Sequence, residues 1–364
     1  MSEFNQKQDR IRALLAERKL DALLLQRVSS FAWATCGAAS YVNTAATEGA
    51  ASLLITPSAR YLITNNIEIT RLEQEEKLGA QGWDIRTTRW HEAPVSVAEL
   101  TQGLKLGADG PYPGATDLSG EMAHLRANLL PEEGERFRQL SRWCAEAMSS
   151  AARAVHPGQT EYQIAGRLAH EAESRGAQVI VNLIATDARI FSFRHPLPAD
   201  KKLERYAMLI LCGRRWGLVC SVTRLVHFGP LPDEVRRKME AVAQIDAEFI
   251  AATRPGQKLS AIFQRATAAY AQAGFSEEWN LHHQGGPVGY EPREYVATPH
   301  STETVLAGQV YAWNPSITGS KSEDTILVGE KGNEVLTEMP GWPMLSLTTA
   351  DGQKVARPVI LEVE

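Results

Sequence analysis

Between Arg10 and Lys19 the apolar positions Ile11, Leu14 and Leu15 fall on one face of a 3.6-residue period, which predicts a helix. The run Asp21-Ala22-Leu23-Leu24-Leu25 then reads as a buried strand. Further strand-like runs follow at Ser52 to Ile55, Tyr61 to Thr64 and Leu104 to Ala108, separated by helical or turn-rich pieces, so the first third is α/β. Asp109-Gly110-Pro111-Tyr112-Pro113-Gly114 is a loop, and Leu130-Pro131-Glu132-Glu133 has the Pro and acids expected at the entry of a new long helix. The expected division is therefore a domain over 1–127 and a second over 128–364.

The second part is internally repeated. Aligned without gaps at an offset of about 98 residues, Pro157-Gly158-Gln159 matches Pro255-Gly256-Gln257, Ile164 matches Ile262, Arg167 matches Arg265 and Gly176 matches Gly274. Each copy follows an amphipathic helix, marked by Phe137, Leu140, Cys144, Met148, Ala151 and Val155 in the first and by Val242, Ile245, Phe249 and Ile250 in the second. Thr160 with Gln163 forms a capping-box start for the helix after the first PG turn. Strand-like runs close each copy: Val179 to Ile184 and Met208 to Leu211, then Val310 to Trp313 and Thr325 to Val328. Two α+β halves related by pseudo-symmetry leave a cleft between them, where ligands bind.

Composition narrows the function. The chain has 364 residues, is 44% hydrophobic and 22% charged, and carries a formal charge of −5, the profile of a folded globular protein. It has no basic run beyond Arg214-Arg215 or Arg236-Arg237-Lys238, so nucleic acid is not an expected partner. The polar start and the short longest apolar run, Ala207 to Cys212, point to a soluble, cytoplasmic protein with no membrane partner. Cys36, Cys144, Cys212 and Cys220 are too scattered for a disulfide framework and each reads as a small buried apolar residue.

Four places carry candidate chemistry: Phe193-Arg194-His195-Pro196, the pair His282-His283 before Gln284-Gly285-Gly286, Pro292-Arg293-Glu294, and Ser322-Glu323-Asp324. Glycines directly after two histidines let backbone approach a ligand. A carboxylate pair opening a strand, as at Glu323-Asp324, is usually a solvated edge. No GxSxG elbow, GxxxxGK[ST] loop or HExxH helix is present, so serine nucleophiles, nucleotide hydrolysis and zincin chemistry lack support.

This arrangement resembles the pita-bread enzymes, which include methionine aminopeptidase, aminopeptidase P, prolidase and creatinase. The resemblance spans nearly the whole chain and implies a creatinase-like α/β N-terminal domain followed by an α+β duplicated pita-bread domain. In the family, two Asp, a His in an HxxG turn and two Glu hold two metal ions. Here the segment from Ile210 to Arg224 is similar to the Asp hairpin, with Ile210 and Ser221 at the Asp positions, and Val310 to Pro315 is similar to the strand ending in Glu-Pro, with Asn314 at the carboxylate. Only Glu323 and one of His282 or His283 remain, and both histidines satisfy the HxxG spacing.

Two divalent ions about 3.5–4 Å apart need several bridging carboxylates, and one His with one Glu falls short of the ligands a single catalytic metal takes. The expectation is no metal and no other cofactor. The resemblance to creatinase implies instead that His195 is a general acid/base, with His283 and Glu323 orienting it, the substrate or a water. It further implies that Arg293 clamps a substrate carboxylate, that Arg194 binds an anion, that His282, Tyr290, Ser221 and Asn314 line the substrate, and that Trp216 or Trp313 forms a wall. The expected activity is metal-independent cleavage of a C–N bond, by a hydrolase or lyase, in a small carboxylate-bearing or short peptide-like substrate, with the chain paired as a homodimer. The alternatives are an inactive peptidase homologue acting as a binding protein and an Xaa-Pro-type aminopeptidase with rearranged ligands.

Overall fold

The computed structural model describes residues 1–364, and its contacts divide the chain into two units: Met1–Ala127 with Trp216–Leu218, and Asn128–Arg215 with Val219–Glu364. In the first unit α1 (Glu3–Arg18) is capped by Ser2 and buries Ile11, Leu14 and Leu15. The chain continues through β1 (Ala22–Arg27), α2 (Val28–Ala34), β2 (Glu48–Ile55), β3 (Arg60–Asn65), α3 (Ile69–Gln74), β4 (Asp84–Thr88), α4 (Val97–Leu100), β5 (Leu106–Ala108), β6 (Thr116–Asp117) and α5 (Ser119–Ala127). Its six strands lie in the order β4-β3-β2-β1-β5-β6, with Leu23, Leu24 and Leu25 fully buried in the centre. Cys36 is partly exposed with φ of 64°, so it is a turn residue and not the core residue expected, whereas the other three cysteines are buried.

The second unit begins with α6 (Pro131–Ala154), where Pro131 opens the helix and the buried Glu133 carboxylate accepts the Leu130 N–H at 2.7 Å. It continues through α7 (Glu161–Glu173), β7 (Gln178–Thr186), α8 (Ala188–Ser192), β8 (Tyr206–Arg215), β9 (Leu218–Phe228), α9 (Asp233–Ala252), α10 (Leu259–Gln272), β10 (Gly285–Val288) and β11 (Val310–Trp313). The short hairpin β12 (Ser316–Ile317) and β13 (Ser320–Lys321) precedes β14 (Asp324–Val328), β15 (Asn333–Val335), β16 (Met344–Thr348), β17 (Lys354–Pro358) and β18 (Leu361–Val363).

The repeat is visible bond by bond. Gly158 and Gly256 turn with φ of 89° and 86°, and Gly176 and Gly274 stop the helices with φ of 91° and 81°. Gly158 N–H donates to Leu203 O at 2.8 Å as Gly256 does to Val305 O at 2.9 Å, and the bridges Thr160–Lys202 and Lys258–Thr304 correspond. The first copy keeps its capping box, Thr160 with Gln163, while Lys258 leaves the second without a side-chain cap.

Two four-stranded sheets result, ordered β18-β9-β8-β7 and β10-β11-β14-β15. β8 and β9 are buried along almost their whole length, as strands covered on both faces are. Trp216 and Gly217 join them with φ of 52° and 76°, the left-handed pair that a two-residue hairpin turn needs. A backbone bridge between Thr223 and Glu323 joins β9 to the start of β14, bringing the two sheets together.

Beneath that junction lies a buried ion network absent from the sequence expectations. Arg357 pairs with Asp246 and Asp324 at 2.6 Å each, and Arg224 pairs with Asp324 at 2.8 Å, all with side chains at most 3% exposed. Ser322 and Thr337 hydroxyls add bonds of 2.5 Å to Asp246 and Asp324. Two cations against two anions balance, so this is a neutral internal clamp on the strand carrying Ser322, Glu323 and Asp324.

Candidate active site

Glu323 is the centre of the site. It is 3% exposed, hence no solvated edge, and its two oxygens face separate cations: Arg293 Nη2 on Oε1 and Lys321 Nζ on Oε2, each at 3.0 Å. Thr223 Oγ1 donates to Oε2 at 2.5 Å. Burial alone would raise this carboxyl, but the Lys321 and Arg293 charges and the Thr223 hydroxyl together hold it down at about 2. Arg293 also donates through Nη1 to Ser221 Oγ at 3.2 Å and to the Pro292 carbonyl.

Ser221 faces Cys212, not Ile210: the Cys212 sulfur lies 3.3 Å from Ser221 Oγ. Ile210 lies deeper, in an apolar cluster with Met208, Leu225 and Met239. A two-residue turn at Trp216 and Gly217 sets Arg215 opposite Leu218, and counting back sets Cys212 opposite Ser221. Burial, with the Glu323 charge, pushes the Cys212 thiol up to about 11, so it stays protonated and uncharged.

Beside this group three imidazoles meet. His195 follows α8, and His282 and His283 immediately precede β10. His195 Nε2 lies 3.0 Å from His282 Nε2, and the His282 and His283 rings stack with centroids 4.4 Å apart. Both histidines of the pair thus face His195, whose ring is 5.8 Å from that of His283. The glycines after them serve packing: a Cβ on Gly285 would fall 2.2 Å from Ala312 O and one on Gly286 2.4 Å from Tyr295 O, so neighbouring backbone, and not a ligand, demands them.

Desolvation, with the Lys321 charge, pushes His282 down to about 2. Desolvation, with the Arg293 and Lys321 charges, pushes His283 down to about 4 and lowers His195 as well. All three are neutral at pH 7. Stability should therefore fall in acid. The histidines bind protons more weakly folded than at their ordinary 6.5, so the unfolded state takes up protons first as pH drops below 6.5. Glu323 adds a loss from its ordinary 4.5 down toward 2. A denaturant midpoint steady above pH 6.5 and falling below it is the expected result; a midpoint unchanged between pH 7 and 4 contradicts this electrostatic description.

The remaining expected site residues divide. Asn314 is buried beside the cluster, its N–H donating to Gln284 O at 3.0 Å, and its Oδ1 has no partner. Arg194 is engaged internally, with Glu278 at 2.5 Å and Thr318 at 3.0 Å, which neutralises its charge for any anion. Tyr290 is buried and donates to Glu133 at 2.6 Å, a structural bond. Trp313 is a core residue, not a wall: it stacks on Phe249 at 4.4 Å and its indole N–H donates to Thr253 at 2.9 Å. Trp216 lies at the hairpin tip and is counted with the first unit. Lys321, Thr223 and Cys212 were missed. The alternation that puts Lys321 and Glu323 two apart, hence on one side of an extended segment, was the available signal.

The donor set does not fit a pair of divalent cations. Ser221 and Asn314 are neutral, Ile210 is in the core, and the Glu323 carboxylate is already shared by two fixed cations. The three imidazole nitrogens, within 4.8 Å of one another, are the group that can hold a single ion. Lys321 and Arg293 oppose that electrostatically.

The chain matches the model of metallopeptidase family M24 over residues 135–330. It is 26% identical over 234 residues to an uncharacterized peptidase of Staphylococcus saprophyticus, covering 61% of this chain and 65% of that one. It is 29% identical over 168 residues to an agropine synthesis cyclase of Rhizobium rhizogenes, covering 43% of this chain and 42% of that one. These matches span less than two thirds of either relative. The fold is that of the Xaa-Pro dipeptidase from Bacillus anthracis, with a TM-score of 0.80 at 19% identity over 99% of this chain and 100% of that one. No helix is long and apolar enough to cross a membrane. With the family model covering more than half of its length, the chain belongs to metallopeptidase family M24.

Proposed function

We propose that this chain is a metal-independent hydrolase or lyase that cleaves a C–N bond in a small, carboxylate-bearing substrate. The observation that carries the reading is the replacement of an anionic metal cage by Lys321, Glu323 and Arg293, set beside three neutral histidines. In the hydrolytic form His195 takes a proton from water as the oxygen attacks the carbon, then returns it to the departing nitrogen. A neutral imidazole whose pKa is lowered by burial and by Lys321 is ready as a base at pH 7. His282, bonded to His195 through the facing nitrogens, and the stacked His283 orient it, and Glu323 holds the two cations in place. Arg293, bonded to Ser221, Pro292 and Glu323, keeps its buried Nε–H without an acceptor, a donor available to a substrate oxygen.

A non-catalytic binding role is the second reading, favoured by the internal engagement of Arg194 and most of Arg293. Screening amino-acid amides, ureas and guanidino acids with and without chelator separates the two. Chelator-insensitive turnover is the expected outcome. No turnover supports the binding role, and chelator-sensitive peptide cleavage supports a peptidase with rearranged ligands.

A further inference from the structure

We propose that His195, His282 and His283 form a site for one divalent ion of the zinc class, which is not a participant in the reaction and reaches the imidazoles from solvent. Three ring nitrogens, one from each residue, lie within 4.8 Å of one another. His195 Nε2 and His282 Nε2 are 3.0 Å apart. Nitrogens bound tetrahedrally to zinc at about 2.0–2.1 Å stand roughly 3.3 Å from one another, so this pair already has nearly the required spacing. His283 stacks on His282 with the rings inclined by 27°, which keeps the third ring alongside the first two. His195 and His283 are exposed, so rotation of either ring can close the remaining gap.

The hydrogen bonding of the cluster is incomplete. One imidazole proton serves both facing Nε2 atoms, and His282 Nδ1 is buried with no partner in the protein. Apart from His195, nothing fixes which nitrogen of the His282 ring carries its proton. An ion between the two Nε2 atoms takes both lone pairs, and each ring then keeps its proton on Nδ1, so no proton is lost.

Donor chemistry selects the ion. Imidazole suits zinc and copper, whereas magnesium and manganese prefer oxygen ligands. Three protein nitrogens leave a fourth position for water or an anion. The nearby fixed charges limit the affinity, because Lys321 and Arg293 against Glu323 leave one positive charge, and an anion in the fourth position offsets it. Occupancy ties up the His195 lone pair, which makes the ion an inhibitor; this consequence alone rests on the proposed function.

Zinc titrated into the full chain against a chromophoric zinc indicator tests the site, with the imidazole carbon-bound proton shifts naming the residues. One zinc per chain and shifts of His195, His282 and His283 are expected, and magnesium should leave those signals in place. His195→Ala and His283→Ala, each removing a ligand, should weaken zinc at least about tenfold. His300→Ala, which removes an exposed histidine elsewhere, should leave it unchanged. Lys321→Gln should tighten zinc because an opposing charge is gone, a change opposite to that of a damaged site. Equal zinc binding in wild type and His195→Ala, or shifts confined to histidines outside the cluster, overturns the site. Turnover is read separately: zinc should abolish it and a chelator should restore it. A filled site with persisting turnover removes His195 from the chemistry and leaves the metal site standing.

Discussion

His195→Ala is expected to lower kcat for the C–N substrate by about 10²–10⁴-fold, the usual contribution of a positioned general acid/base. KM should change little, because the donor proposed for a substrate oxygen lies on Arg293. Folding should be retained, since His195 is only partly covered and its hydrogen bond is to another imidazole, His282 at 3.0 Å. The wild-type pH profile gives an independent check. A base lowered from its ordinary 6.5 by burial and the Lys321 charge should keep kcat/KM level through neutrality, with the acid limb below pH 6.5. Undiminished turnover in the alanine variant removes His195 from the chemistry.

Arg357→Met should destabilise the second unit by about 3–5 kcal/mol, the cost of leaving a buried partner charge uncompensated. Asp246 and Asp324 both lose their contact to this guanidinium, and Arg224 remains for Asp324 alone. Burial already raises the Asp246 carboxyl despite the Arg357 charge, so without Arg357 it should take up a proton at higher pH. In a unit of this size the loss lowers the unfolding midpoint by on the order of 10 °C. The exposed pair Arg236–Glu362, at 42% and 41% side-chain exposure, serves as comparison, and Arg236→Ala should cost less than about 1 kcal/mol. Equal effects of the two substitutions in thermal unfolding would mean that the clamp under Glu323 carries no special weight.

The hydrophobic pattern conveyed the helices and the repeat because both follow from side-chain spacing and turn chemistry. Phe137, Leu140, Cys144 and Met148 fall on one helical face and all four are buried. Gly158 and Gly256 occupy left-handed turns that a side chain would strain. The strands were harder. Val310 to Trp313 is apolar on both faces, so nothing in the run says which side Trp313 takes, and it went into the core. The pattern reading also had no element past Val328, where alternating exposed and half-buried positions carry β16 to β18 and, on β17, the fully buried Arg357.

At the site, the two-residue turn pairs Ser221 with Cys212, a cross-strand contact that the run of residues alone does not display. Lys321 escaped because lysine is almost never buried without a partner. Its partner, Glu323, opens a strand with Asp324, a pattern usual for a solvated edge. The residues themselves singled out His195, His282 and His283, but their mutual contact is a tertiary fact, joining the segment after α8 to the segment before β10.

Glu323 is held by a fixed ammonium and a fixed guanidinium, which under the proposed function stand in for mobile divalent cations. Elemental analysis of protein purified in manganese and then freed of unbound ions tests this substitution most directly, with turnover measured on the same sample. Substoichiometric metal together with undiminished activity is the predicted result; two tightly held ions per chain would contradict the account.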